Sequence, residues 1–189
     1  APVEVGPDGV KTVLTVPEPP ASSGNVHFLE LTLKDAQGKL VSTNFYWLSL
    51  KRPELDWSKT TYISTPISTY EDFTALASLP QVRLKTSATM LPQTAGDSVR
   101  LSLTNPSKDL AFQIRLAVDS GSDNSEILPV LWEDNYVSLM PGEERTVEAR
   151  FPDRHLAPGS RLLVTGWNIA QEYLPLGKPA AKKSGAKSK

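Results

Sequence analysis

The sequence has no cysteine, only two histidines, and no apolar run long enough to cross a bilayer as a helix. Without cysteine there is no disulfide framework, no Cys-ligated zinc or iron–sulfur cluster and no thiol nucleophile. The compartment stays open, since such a chain suits cytoplasm and periplasm alike, with an exported location the expectation. His27 and His155 lie more than a hundred residues apart, outside any HExxH-type spacing. Neither a metal site nor the base of a hydrolase triad can be assembled from them. His27 alternates with Val26 and Phe28 and reads as a packed or surface strand residue, and His155 reads as a loop residue. Phosphate-cradling GxGxxG and GxxxxGK[ST] loops are absent, so nucleotide chemistry has no support. No cofactor and no metal is expected. A dominant charge is missing too: 20 Lys+Arg face 21 Asp+Glu, a net charge of -1.

What is present is punctuation. Sixteen prolines and eleven glycines in a chain that is 39% hydrophobic break it into many short elements and argue against long helices. Apolar residues alternate with period two over Val10 to Val16, Val26 to Leu33, Leu40 to Leu48, Val82 to Ala88, Ser98 to Leu103 and Phe112 to Val118. Further strands are expected at Val130 to Trp132, Val137 to Leu139, Thr146 to Phe151 and Arg161 to Asn168. Turn chemistry separates them at Asp8-Gly9, Asp35 to Gly38, Ala95 to Asp97, Asn105-Pro106, Pro141-Gly142 and Pro158-Gly159. The fold class is therefore all-β, an immunoglobulin-like antiparallel β-sandwich preceded by a partial second β-sandwich.

Four segments are expected. Residues 1–50 hold about four strands, too few to close two packed sheets, and form the incomplete C-terminal part of an immunoglobulin-like domain. Residues 51–80 are a connector with one helical turn at Glu71 to Leu76, and 81–175 make a complete sandwich with seven strands. Residues 176–189 form a disordered basic tail. Setting aside its five lysines takes the net charge from -1 to -6. The tail interleaves no aromatic or arginine, so it reads as solvated rather than as a nucleic-acid patch. Neither nucleic acid nor membrane insertion is expected. Ala1 follows no methionine or signal-like stretch, so the true N-terminus is expected to have been removed or to lie elsewhere.

Glycosidases work with paired carboxylates, and the adjacent pairs here are Glu71-Asp72, Glu133-Asp134 and Glu143-Glu144. Neighbours on a strand face opposite ways, so a structural role is the reading for each. Aromatics offer planar faces that stack on sugar rings. Trp132 and Trp167 fall on expected strands and read as core, whereas Trp57 and Tyr62, in the connector, read as core or interdomain packing with ligand contact as the alternative. Trp57, Tyr62 and Trp132 are the candidates for carbohydrate contact.

Leu40 to Ser49 (LVSTNFYWLS), Tyr70 to Pro80 (YEDFTALASLP), Ile127 to Glu143 (ILPVLWEDNYVSLMPGE) and Gly166 to Asn168 (GWN) together carry a resemblance. In order and spacing from Val10 to Tyr173, the chain resembles the C-terminal region of glycoside hydrolase family 2 enzymes of the exo-β-D-glucosaminidase and mannosylglycoprotein endo-β-mannosidase type. In that family a sugar-binding-like β domain, an immunoglobulin-like domain and a catalytic (β/α)₈ barrel precede two further immunoglobulin-like domains. The resemblance implies the end of the penultimate domain plus the whole last one. The family's acid/base and nucleophile glutamates lie on the barrel, which has no counterpart here, so no catalytic residue carries over. Trp132, Asp134, Asn135, Tyr136, Leu139, Pro141, Gly142 and Glu143 form a W-x-D-N-Y-x-x-L-x-P-G-E pattern that reads as a fold signature. Asp134 and Asn135 would bond nearby backbone, Tyr136 and Leu139 pack inward, and Pro141-Gly142 turn the chain. The implied partners are the catalytic and N-terminal domains of a parent glycosidase, in the same chain or a separate fragment, with an oligosaccharide as a further one. A stand-alone carbohydrate-binding module is the alternative.

Overall fold

The computed structural model describes residues 2–20, 24–93, 96–152 and 156–176, and their regular structure is nearly all β. His155, the chain start at Ala1 and the basic tail from residue 177 onward lie outside the described residues. The chain divides into two compact units, Ala1–Ser78 and Leu79–Lys189.

In the first unit, the alternating runs form an antiparallel hairpin of β1 (Val26–Lys34) and β2 (Leu40–Ser49), with Val26 opposite Ser49 and Phe28 opposite Trp47. Its turn is set by Asp35, whose Oδ1 accepts the N–H groups of Gln37 and Lys39 at 3.0 and 2.8 Å, while Gly38 takes a φ of 82°. The segment 51–80 is not featureless. A short ribbon of β3 (Glu54–Leu55) and β4 (Ile67–Thr69) closes a loop containing a 3₁₀ turn at Trp57–Lys59. The helical turn expected at Glu71 to Leu76 is a 3₁₀ turn displaced to Thr74–Ser78, because Asp72 Oδ1 accepts both the N–H and the hydroxyl of Thr74 and starts the turn there. The strand expected at Val10 to Val16 does not form. Alternation alone makes no strand; it needs a neighbouring edge, and among the described residues none pairs with this segment, which is exposed throughout.

In the second unit, alternation becomes two packed four-stranded sheets. The first has the order β5 (Lys85–Gln93), β6 (Gly96–Thr104), β10 (Glu144–Pro152), β8 (Leu131–Trp132). The second runs β12 (Glu172–Pro175), β11 (Arg161–Thr165), β7 (Ala111–Asp119), β9 (Val137–Leu139). These are the A-B-E-D and G-F-C orders of an immunoglobulin-type sandwich with one added short strand. Val99, Leu101 and Leu103 of β6, with Val147, Ala149 and Phe151 of β10, point inward against Ile114, Leu116 and Val118 of β7 and Leu162 and Val164 of β11. The intervening residues face water: Arg100 donates through Nε and one terminal nitrogen to Glu148 Oε1 at 2.8 and 2.7 Å across β6 and β10.

Several strand bounds differ from expectation. Val82 makes only an isolated bridge to Ile169, so its strand starts at Lys85. The strand from Arg161 stops at Thr165, and β12 adds an eighth strand on its outer edge. The stop has a steric cause: a Cβ on Gly166 would lie 2.7 Å from the Gln113 carbonyl oxygen and 2.6 Å from Ile169 Cγ1. Backbone crosses backbone there, which only glycine permits.

Candidate functional site

The W-x-D-N-Y pattern of the second unit is built of side chains bonded to main chain. Asn135 presents both ends of its amide to Leu116, accepting its N–H at 2.8 Å and donating to its carbonyl at 2.9 Å, so one side chain continues the ladder of β7. The same oxygen accepts the N–H of Tyr136, and Asp134 accepts the N–H of Asn135 while facing Arg145 at 3.3 Å. Tyr136 does not pack inward as expected. Its φ of 56° swings the ring into solvent, whereas Leu139 is fully buried. Past Pro141, Gly142 takes a φ of 78°, its N–H donates to the Asn105 carbonyl at 2.8 Å, and Glu143 Oε2 accepts the Met140 N–H at 2.9 Å.

Three polar groups to which the sequence reading gave no bonding role complete this architecture. Asn105, buried, donates to the carbonyls of Asp109 and Leu139 at 2.8 and 3.0 Å. Asn168, also buried, accepts the Phe112 N–H at 2.9 Å and donates to the carbonyls of Pro80 and Leu110 at 2.7 and 2.8 Å. The Asp119 carboxylate receives Arg161 Nε and a terminal nitrogen at 3.0 Å each. That guanidinium also lies 4.2 Å over the Tyr173 ring and holds the Asp119 carboxyl below its ordinary range. The Asn-Pro turn and the GWN motif were visible in the sequence, but not which carbonyls their amides would reach.

The carboxylate pairs are engaged in the same local work. Glu133 Oε2 accepts the Glu148 N–H at 3.2 Å, Glu144 Oε1 accepts the Ser102 hydroxyl at 2.9 Å, and Glu143 and Asp134 both face Arg145. Asp72 is held below the usual carboxylate range chiefly by the Thr74 hydroxyl. Among the described residues, no group of three His, Asp or Glu is placed to hold a metal ion.

The aromatic candidates separate by exposure. Trp132, opposite the buried Ala149, is half-buried against the core. Trp167, expected in the core, is 58% exposed with its ring centroid 6.3 Å from that of Phe112, because the strand ends before it and the chain turns outward at Gly166. Trp57 is 72% exposed and Tyr62 wholly so.

The hairpin of the first unit presents apolar side chains on both faces. His27, Leu29, Leu31 and Leu33 share one face with Leu48 and Tyr46, and Phe28 and Phe45 contact each other on the other beside Trp47. Leu31, Leu33, Tyr46, Trp47 and Leu48 are all exposed. Beside the first face lies a cavity of about 720 Å³ lined in part by Val16, Pro17, Leu29, Leu48 and Arg52. His27 also lines it, and its buried Nε2 has no hydrogen-bond partner among the described residues.

Residues 62–169 match the family described as the exo-beta-D-glucosaminidase Ig-fold domain. The chain is 35% identical over 181 residues to an exo-beta-D-glucosaminidase of Streptomyces avermitilis, covering 92% of this chain and 20% of that protein. It is 36% identical over 150 residues to one from Arthroderma benhamiae, covering 79% and 16%. Among solved structures, the Amycolatopsis orientalis exo-chitosanase CsxA superimposes with a TM-score of 0.78 at 31% identity, over 88% of this chain and 20% of that one. The same protein in complex with PNP-beta-D-glucosamine gives 0.79. The chain thus spans about a fifth of the length of these glycosidases.

Proposed function

Since the chain belongs to the exo-beta-D-glucosaminidase Ig-fold domain family, we propose that it is the non-catalytic C-terminal accessory portion of a retaining β-glycosidase of β-glucosaminidase or β-mannosidase type. It docks to the catalytic and N-terminal polypeptide of that enzyme, and the acid/base and nucleophile of the reaction reside there. The observation that carries this reading is the two-stranded hairpin open on both faces. A lone hairpin is at best marginally stable in water. This one exposes more large apolar side chains than a finished sheet leaves uncovered. The unpaired alternation at Val10 to Val16, the cavity beside Leu29 and Leu48, and the orphaned His27 nitrogen all lie in the same unit. Each is accounted for if strands from outside this chain complete residues 1–50 as a sandwich, by added main-chain ladders and a covered apolar face.

The test is the purified 189-residue chain in gel filtration and thermal melting. The expected result is self-association driven by the first unit, a cooperative melt of the second, and no turnover of aryl glycosides. A monodisperse monomer in which both units melt in one cooperative transition counts against docking.

The exposure of Trp57 and Tyr62 favours a second reading, a carbohydrate-binding module using these two and Trp132. Tryptophan fluorescence titrated with chitosan or mannan oligosaccharides shifts under that reading and stays unchanged under docking alone.

A further inference from the structure

Residues 56–66, between β3 and β4, are ordered without a core beneath them: no residue of the 3₁₀ turn is buried. Hydrogen bonds hold the loop instead. Asp56 Oδ1 accepts the N–H and hydroxyl of Ser58 at 3.2 and 2.5 Å, and Oδ2 pairs with Lys59 Nζ at 2.8 Å. Thr61 receives the N–H groups of Ile63 and Ser64 on its hydroxyl, and its own N–H and hydroxyl donate to the Ser64 carbonyl at 2.9 and 3.1 Å. The hydroxyls of Thr60 and Thr65 meet at 3.1 Å, and the Asp56 N–H closes the base on the Pro66 carbonyl at 2.8 Å. This frame displays Trp57 at 72%, Tyr62 at 105% and Ile63 at 90% exposure.

We propose that this loop is a preformed anchor that seats Trp57, Tyr62 and Ile63 in an apolar cleft of the parent glycosidase's remaining polypeptide. The inference rests on the docking reading and deepens it by naming the contact. Three observations select a protein occupant. Trp and Tyr are the residues that concentrate binding energy when desolvated at the centre of an interface. A β-branched aliphatic side chain beside them has no planar face for a sugar ring to stack on, so Ile63 fits an apolar protein cleft. About four-fifths of the length of the related enzymes lies outside the region this chain matches, which supplies the polypeptide to form it. Rigidity completes the case: a loop already fixed by its own hydrogen bonds loses little conformational freedom on docking.

The test is hydroxyl-radical footprinting of the intact parent enzyme, with the labelling of Trp57, Tyr62 and Ile63 compared with that of the free amino-acid amides. The expected result is several-fold slower labelling of all three, independent of protein concentration and of added glucosamine oligomers. Labelling at the free rate overturns the anchor. So does protection that appears only with the oligomers, which makes the loop a sugar platform, or protection that grows with protein concentration, which makes a second copy the occupant. Leu31 and Leu33 of the hairpin are read in the same experiment. If they are protected while Trp57 labels freely, the anchor fails and docking stands; if they too label freely, docking itself fails.

Discussion

The side chains that matter most in the second unit are polar and buried, and their task is to satisfy backbone that the strands leave unpaired. Asn168 serves three main-chain groups at once, at Phe112, Pro80 and Leu110. Asn168→Ala orphans all three, and at about 1–3 kcal/mol for each unsatisfied buried group the expected loss is about 3 kcal/mol or more in urea unfolding of the second unit. Asp119 carries a pH dependence. The Arg161 hydrogen bonds place its folded pKa below the ordinary 3.8, so the folded state binds the proton more weakly than the unfolded one. The stability this contributes is complete above the unfolded value and is lost as pH falls through the depressed one. Asp119→Asn is expected to cost about 2 kcal/mol at neutral pH, the worth of a charged hydrogen-bonded pair, with the gap to the natural chain narrowing as acid is added below pH ~4. Urea melts at neutral and acid pH check both. None of this was legible in advance. The sequence marks Asn105 as a turn residue and places Gly166 and Asn168 in a motif at a strand end, but the roles of the last two are set by backbone more than fifty positions away, at Gln113 for Gly166 and at Phe112 and Pro80 for Asn168.

At the scale of elements, local alternation located β6, β7 and β10 because their alternate residues enter the core, and β1 and β2 because the two pair with each other. It misplaced elements wherever pairing, not pattern, decided. Val10 to Val16 alternates well and forms nothing for want of an edge, whereas β12 alternates poorly and forms because β11 offers one. Tyr136, read inward from the signature pattern, and Trp167, read as core from its place on an expected strand, stand outward because a positive φ and a glycine crossing intervene. The open hairpin gives a direct prediction. Replacing Leu31 and Leu33 by Lys puts two charges on its apolar face and at its exposed end, which is how natural edge strands resist association. In gel filtration of the 189-residue chain, the double variant is expected to shift toward monomer while the melt of the second unit is unchanged. Persistent association by this variant would place the sticky surface elsewhere.

The molecule as a whole joins an immunoglobulin-like sandwich with a buried core to a unit whose strands, among the described residues, form only two-stranded ribbons. Its relatives are glycosidases about five times its length. Under the proposed reading the chain matters to catalysis only through the polypeptide it completes. The second unit, with its own core, is expected to fold when expressed alone as 79–176, and circular dichroism with a single cooperative melt checks that. The most direct measurement of the central claim uses the native protein. An antibody against the second unit is used to deplete a lysate of the source cells, and both pellet and supernatant are assayed with PNP-beta-D-glucosamine and an aryl β-mannoside. The expected result is that one of these activities leaves the lysate with the antibody, while the purified 189-residue chain hydrolyses neither. Complete removal of the chain with both activities left behind in the supernatant would contradict it.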